Sequence, residues 1–340
     1  MHIKHNVSLK AFNTFGIDVK ARDFISFETS DALEKIFDSI PSIKKDKRLV
    51  LGGGSNILLS CDFDGYILKN NIIGIEVVNE DDEFVTIKAG AGVSWHELVL
   101  YAVDKGWGGI ENMSLIPGSC GAAPMQNIGA YGVELKDVFH ALEAYHIQDK
   151  RFIVFTHNEC AFGYRESVFK NRYRDQFIIT SLTLRLQKKP NYHISYGAIQ
   201  QELDNMQIKE LSVKAISDAV IRIRSSKLPD PAKVGNAGSF FKNPTVSKEE
   251  HDRLKNTHPN IVSFLNADGT YKLAAGWLIE QCGWKGYRNG DVGCYPLQAL
   301  VLVNYGNATG LEILALSEEI QSSVFQKFGV QLEREVNLIS

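Results

Sequence analysis

Two glycine-rich stretches in separate parts of the chain constrain it most: GGGSN at 52–56 and IPGSCGAAPMQNIGAYG at 116–132. Gly52, Gly53 and Gly54 permit positive φ and let the backbone come close to a ligand. Successive backbone N–H groups in such a loop can cradle phosphate oxygens, and Ser55 and Asn56 add side-chain donors. Taken alone, a glycine run after a strand is more often a turn than a ligand site. The second stretch is too rich in Gly and Pro for a regular element, yet it holds too many small and apolar residues for disorder. A long loop of this kind inside a compact domain is usually functional. Two loops of this composition can grip two parts of one large anionic cofactor. Tyr131 suits packing on a ligand, or simply packing. GxxxxGK[ST] is absent, and GxGxxG fails because the third glycine is missing both after Gly52 and Gly54 and after Gly90 and Gly92. A dinucleotide bound here is therefore held by something other than a P-loop or a Rossmann fingerprint.

The bulk properties narrow the class. The 340 residues are 44% hydrophobic and 23% charged, an ordinary globular balance with length for two or three domains. A net charge of -3 gives no pull toward nucleic acid, so an anionic ligand must be met locally. The five cysteines (Cys61, Cys120, Cys160, Cys282, Cys294) are odd in number, widely spaced and without Cys-x-x-Cys. This argues against a disulfide framework or a metal site and fits a reducing compartment. MHIKHNVSLK lacks the apolar core of a signal peptide, and no apolar run approaches membrane-spanning length. The expectation is a soluble cytoplasmic protein.

Periodicity predicts strands at 24–27 and 48–51 around a helix at 31–38, with Asp31 and Glu34 at capping-box spacing. This forms a small β-α-β unit ending in the glycine loop. A strand at 84–89 leads to a helix opened by Ser94, with Glu97 completing a capping box; Trp95, Leu98, Val99 and Ala102 share a face, and Gly106 stops it. Strands are expected at 139–147, 151–156 and 177–186. The segment at 224–244 reads as a domain junction. Beyond it come a helix at 272–282, a buried strand at 299–303, and a long helix capped by Thr309 and Glu312 and ended by Gly329. A last strand at 330–339 alternates strictly, with Glu335 among its polar positions. The whole is mixed α/β or α+β.

Three further places could carry chemistry. GNAGSFFKNP at 235–244 sets Ser239 between glycine and aromatics, but not in a GxSxG elbow and without a histidine pattern for a triad. A proton-donating or hydrogen-bonding serine fits better than a nucleophile. Lys227, Lys233 and Lys242 could neutralise phosphate, or form a solvated charged loop. FGYRESVFK at 162–170 places Arg165 among aromatics, suited to bidentate carboxylate recognition or to an ion pair with Glu166. Glu335 reads either as a surface carboxylate or as an acid at a site.

In this order, with NTFGI at 13–17, RSSKLPDP at 224–231, AAGWLIEQCG at 274–283, QALVLVN at 298–304 and LEREV at 332–336, the motifs resemble the UDP-N-acetylenolpyruvoylglucosamine reductase family over nearly the whole chain. ISYG at 194–197 resembles the longer subtype, whose extra loop carries a tyrosine over the substrate site. The resemblance implies an α+β fold: a vanillyl-alcohol-oxidase-type two-part FAD-binding domain (1–226, subdomains 1–72 and 73–226) and a C-terminal α/β substrate-binding domain (227–340). The last strand, about 330–340, is a candidate to return to the FAD domain.

It implies FAD held by Gly52, Gly53, Gly54, Ser55, Asn56, Ile116, Pro117, Gly118, Ser119, Gly121, Ala122, Gln126, Asn127, Gly129, Ala130 and Arg224. Attachment would be noncovalent, since 52–59 contain no histidine. It implies NADPH as co-substrate and two half-reactions at one site, which reduce UDP-N-acetylglucosamine enolpyruvate to UDP-N-acetylmuramate in peptidoglycan precursor synthesis. Ser239 matches the proton donor, Arg165 the carboxylate partner and Glu335 a protonated acid, while Tyr131, Tyr196, Lys227, Asn243 and Gln298 match substrate contacts. No metal is implied, and a monomer is expected. One departure stands out: the family's last motif often reads Glu-Val-Arg, whereas here it is Glu335-Val336-Asn337. Weaker or rearranged nucleotide contacts are the expected consequence. Another oxidoreductase on the same FAD fold, or a non-catalytic nucleotide-binding protein, is the competing reading.

Overall fold

The computed structural model describes residues 2–196 and 198–340. Gly197, the last residue of ISYG, lies outside the described residues. The chain forms two compact units: Met1–Val7, Ala21–Gly53 and Asp64–Ser226 in the first, and Ser8–Lys20, Gly54–Phe63 and Lys227–Ser340 in the second. A cut at 226/227 therefore coincides with one boundary, but 8–20 and 54–63 are interleaved into the C-terminal unit, and the boundary between 53 and 54 falls inside the GGGSN loop.

The first unit holds two sheets. One runs in the order Ile3–Ser8, Lys20–Phe27, Phe63–Asn70, Arg48–Leu51. The expected β-α-β unit is present, but Phe63–Asn70 intervenes between its strands and pairs in parallel with Arg48–Leu51. Helix Ser30–Ser39 is capped by Thr29, whose hydroxyl accepts the Ala32 N–H, ahead of the expected Asp31 in the chain. Its Leu33, Ile36 and Phe37 pack with Ile25, Phe27 and Tyr145. The other sheet is antiparallel throughout, in the order Arg151–Thr156, Phe139–His146, Phe177–Gln187, Phe84–Gly90, Ile75–Glu80. Helix Trp95–Asp104 buries Trp95, Leu98, Val99 and Ala102 in the core of this sheet, the stripe that its period predicts. No side-chain cap forms at Ser94; the Trp95 N–H donates instead to the Gly118 carbonyl, so the helix start is spent on the long loop. Helices Ile199–Asn205 and Val213–Lys227 make a third cluster through Ile199, Leu203, Ile216, Ala219 and Val220.

The second unit is built on Gly310–Phe328. Thr309 and Glu312 form a reciprocal capping box, Gly329 closes the helix at φ 73°, and Ile313, Leu316, Ile320, Val324 and Phe328 are buried. A four-stranded antiparallel sheet runs Gly235–Asn236, Leu302–Asn304, Val292–Cys294, Arg288–Asn289. Leu302–Asn304 lies slightly beyond the strand expected at 299–303. The helix expected over 272–282 begins only at Ala275, because Tyr271–Leu273 is claimed by strands on both sides, Lys272 facing Thr245 and Phe264. The last strand is also shorter than its alternation predicts. Regular pairing is confined to Asn337–Ile339, parallel to Ile57–Leu59, and Leu338 is 42% exposed. Upstream, Glu333 and Glu335 are bonded through their backbones to the 240–242 segment, which uses up the groups a longer strand would need.

Replacing Thr309 with Ala removes the hydroxyl that accepts the Glu312 N–H and donates to Glu312 Oε2, leaving only the backbone half of the capping box. It should lower stability by about 1 kcal/mol, read as an earlier midpoint in chemical denaturation; an unchanged midpoint would deny the cap its role.

Candidate functional site

In the first unit the two glycine loops lie on one another. A Cβ on Gly53 would sit 2.9 Å from Gly118 Cα, and one on Gly52 would sit 2.1 Å from Ser119 Oγ. Backbone bonds strap the second loop to the turn that opens helix Trp95–Asp104: the Cys120 N–H to Val93 O at 2.8 Å and the Gly121 N–H to Ala91 O at 2.9 Å. There is no room at Gly121 either, where a Cβ would meet Ala91 Cβ at 2.6 Å. The expected regularity of the loop is exceeded slightly. Ala123–Gln126 forms a 3-10 turn ending at Gln126, and Gly129–Ala130 pairs with Val133–Glu134.

Four non-glycine residues around this loop have positive φ: Leu115 (60°), Asn127 (44°), Tyr131 (49°) and Arg165 (56°). Each is held. The Leu115 N–H donates to His96 Nδ1 at 3.0 Å. The buried Asn127 amide donates to Gly163 O at 3.0 Å, and its Oδ1 accepts the Lys136 N–H. Asn127 thus spends its side chain on the loop itself. The Asn112 amide donates to the Tyr131 carbonyl at 3.0 Å. Arg165 sits at the tip of a tight turn closed by backbone bonds between Gly163 and Glu166, and its Nη2 donates to Gly129 O at 2.9 Å. Strain of this kind persists where surroundings over-determine it, and it gathers at binding sites.

Arg224, near the end of Val213–Lys227, has a buried Nε with no hydrogen-bond partner among the described residues. Burial lowers its pKa and raises that of Tyr131, while their mutual attraction opposes both shifts. An unsatisfied guanidinium N–H is a donor waiting for an acceptor. Bare backbone at Gly52, Gly53 and Gly118, with an unsatisfied donor at Arg224 in the same unit, fits an elongated anionic cofactor. Ile116 is half-buried against the core, while Pro117 and Ala122 are exposed. Tyr196 is 45% exposed and packs over Gly132.

In the second unit, NTFGI supports the serine segment. The buried Asn13 amide donates to Leu9 O and Ile17 O, and its Oδ1 accepts the Ile17 N–H. Thr14 O accepts the Asn236 N–H, Phe15 packs edge-on to Phe240 at 6.2 Å, and Asn304 donates to Phe15 O. Ser239, exposed, therefore stands on a braced backbone. Its neighbour Phe240 accepts the Glu335 N–H at 2.9 Å, which brings Ser239 and Glu335 onto adjacent segments. The Asn56 amide donates to Glu335 O, and Asn337 returns two bonds, N–H and Nδ2, to Asn56 O at 3.0 Å. The side chain of Asn337 thus clamps Asn56. Gly54, at φ 64°, would place a Cβ 2.0 Å from Phe12 O; Ser55 beside it is half-buried.

Asn243 Oδ1 accepts the Ala275 N–H, and Gln298 Oε1 would be 3.0 Å from a Cβ on Gly276, so both converge on the first turn of Ala275–Gln281. Lys227 is exposed. Of the lysines considered for phosphate, Lys242 is 8% exposed and pairs with Glu333 at 2.5 Å, which commits it to the protein. Sequence reasoning missed His96 and Lys69, whose ammonium donates to Gly52 O at 2.8 Å. Neither sits in a motif, and only the tertiary contact reveals them. Among the described residues no group of three or more His, Cys, Asp or Glu could hold a metal, and no helix is long and apolar enough to cross a membrane.

Comparison with known proteins agrees with this geometry. Residues 25–149 match an FAD binding domain family, and 230–339 match the C-terminal domain of UDP-N-acetylenolpyruvoylglucosamine reductase. Curated reductases of that name from Amoebophilus asiaticus and Flavobacterium johnsoniae are 50% and 49% identical, each covered over 100% of both chains. The crystal structure of the Thermus caldophilus reductase superposes with a TM-score of 0.68 at 25% identity, over 100% of both chains.

His96 supplies a pH test. Burial first, then Arg224, depress its pKa below the ordinary 6.5, and its acceptor role at Leu115 requires the neutral ring. The stabilisation is therefore complete above about 6.5 and is lost as pH falls through the lower folded value. In denaturation series from neutral to acid pH, wild type should lose stability more steeply than His96→Gln; parallel curves would remove His96 from the balance.

Proposed function

The chain belongs to the UDP-N-acetylenolpyruvoylglucosamine reductase family, and from that premise we propose how its residues divide the reaction. The enzyme reduces UDP-N-acetylglucosamine enolpyruvate to UDP-N-acetylmuramate with NADPH, in peptidoglycan precursor synthesis. FAD, when bound, would supply the redox chemistry, a hydride equivalent from NADPH to C3 of the enolpyruvyl group, while this chain's residues hold the proton for C2. The observation that carries the cofactor assignment is the backbone-to-backbone seating of Gly53 on Gly118; the unsatisfied Arg224 Nε in the same unit adds a donor. The 52–56 and 116–130 loops hold FAD noncovalently, with Asn127 acting on loop shape through its committed amide.

As charge develops at C2 and spreads into the adjoining carboxylate, Arg165 pairs with that carboxylate. Its main chain is already locked at positive φ and its Nη2 anchored on Gly129 O, so little ordering remains. Ser239 Oγ holds the proton that C2 takes, and Glu335 in its acid form stabilises the enolate-like charge. Adjacent backbone segments support their working as a pair. Lys227 counters the substrate diphosphate, and Asn243 and Gln298 position the nucleotide from the start of Ala275–Gln281. Tyr131 and Tyr196 line the substrate side. Asn337 reinforces the Asn56 clamp in place of an arginine contact. We place the enzyme in the cytoplasm as a monomer.

The deciding measurement is anaerobic absorbance of the purified protein. Its flavin colour should bleach with NADPH and return with the enolpyruvyl substrate. Ser239→Ala should slow the return by roughly 10²- to 10⁴-fold while bleaching continues; equal slowing of both steps would deny Ser239 its proton role. Arg165→Ala should lower the rate of the return step by about 10²- to 10³-fold. An unaffected return would take Arg165 out of the reaction. A protein that binds no FAD would end the assignment altogether.

A further inference from the structure

Lys69 is the penultimate residue of Phe63–Asn70, in register with Leu51, the residue that leads into the GGGSN loop. Its ammonium reaches the Gly52 carbonyl at 2.8 Å. The side chain is half-buried, in a strand whose Tyr66, Ile67 and Leu68 are all buried. Among the described residues it pairs with no carboxylate, and burial alone acts on its pKa, lowering it. Half-burying a cation without a counterion costs free energy; the buried Lys242, by contrast, takes Glu333. An ammonium has three donors, and the Gly52 bond uses one.

We propose that Lys69 is a cofactor-binding cation whose charge, delivered from beneath the Gly52 carbonyl, offsets the diphosphate of FAD. The proposal rests on the reading that the 52–56 loop holds that diphosphate. It explains why a lysine occupies a position where any neutral donor could clip one carbonyl. The missing counterion is then the ligand itself, and its arrival stabilises a charge that the unliganded unit carries at a cost. The arrangement also lets a chain with net charge -3 meet an anionic cofactor with a local positive centre.

Clip and counterion separate in substitution. Lys69→Gln keeps a donor for Gly52 O but removes the charge, Lys69→Met removes both, and Lys69→Arg keeps both. Full-length protein stripped of flavin would be titrated with FAD, and separately with riboflavin, which lacks phosphate, at low and high salt. Lys69→Gln and Lys69→Met should each weaken FAD roughly tenfold or more at low salt, flatten its salt dependence, and leave riboflavin unchanged; Lys69→Arg should stay near wild type. Lys69→Gln binding FAD like wild type would reduce the residue to a clip and overturn the proposal, as would equal losses for FAD and riboflavin. Gly53→Ala in the same titration tests the premise. If Lys69→Gln fails to weaken FAD while Gly53→Ala does, only the lysine assignment falls. If Gly53→Ala leaves FAD binding intact, the loop reading falls, and the proposal with it.

Discussion

Everything in the first unit is arranged around a place where two stretches of backbone touch with no side chains between them. Gly53 against Gly118 is closer than a Cβ allows, and Gly52 and Gly121 are similarly hemmed in. A contact of that kind has no side-chain area of its own to hold it, so its geometry must be imposed from outside. The helix Trp95–Asp104 gives up its own cap to bond Gly118, Val93 and Ala91 strap the following residues, and Lys69 holds Gly52 from the opposite strand. The four positive-φ residues around the loop are each tied by a specific hydrogen bond, which is how strain of about 1–3 kcal/mol per residue can persist.

The second unit solves a related problem by other means. Ser239 is exposed on a segment braced by a fully bonded, buried Asn13 and by Phe15 against Phe240. Glu335 is attached to the same scaffold through Phe240 O. With the roles proposed for them, Ser239 and Glu335 on one frame would lose little alignment to thermal motion, the condition under which preorganised donors are effective.

Legibility in the sequence followed the range of the forces involved. The helix Gly310–Phe328 was readable to its ends because its cap, its apolar stripe and its terminal glycine are all local signals. The antiparallel strands at 139–147, 151–156 and 177–186 were likewise visible, and the two loops were conspicuous by composition. Residues whose roles depend on a partner far along the chain were not: Lys69 and His96 lie in no motif, Asn127 reads as a ligand donor but serves the loop, and Lys242 reads as a free cation but is paired with Glu333. The final strand was overextended for the same reason. Alternation at 330–339 is real, with Val330, Leu332 and Val336 buried, yet the backbone partners come from 240–242 and 57–59, which no local pattern announces.

The interleaving of segments 8–20 and 54–63 with the C-terminal unit has a consequence for biogenesis. Their partners, Asn236, Asn304 and Asn337–Ile339, emerge from the ribosome only after two hundred or more further residues have been added. Phe15 and Leu58, each 1% exposed in the finished structure, must wait through most of translation without their burial sites. A domain that can close only when its last strand is made cannot fold in order of synthesis. The nascent chain thus carries these apolar N-terminal side chains without their burial partners until the C-terminal unit is made.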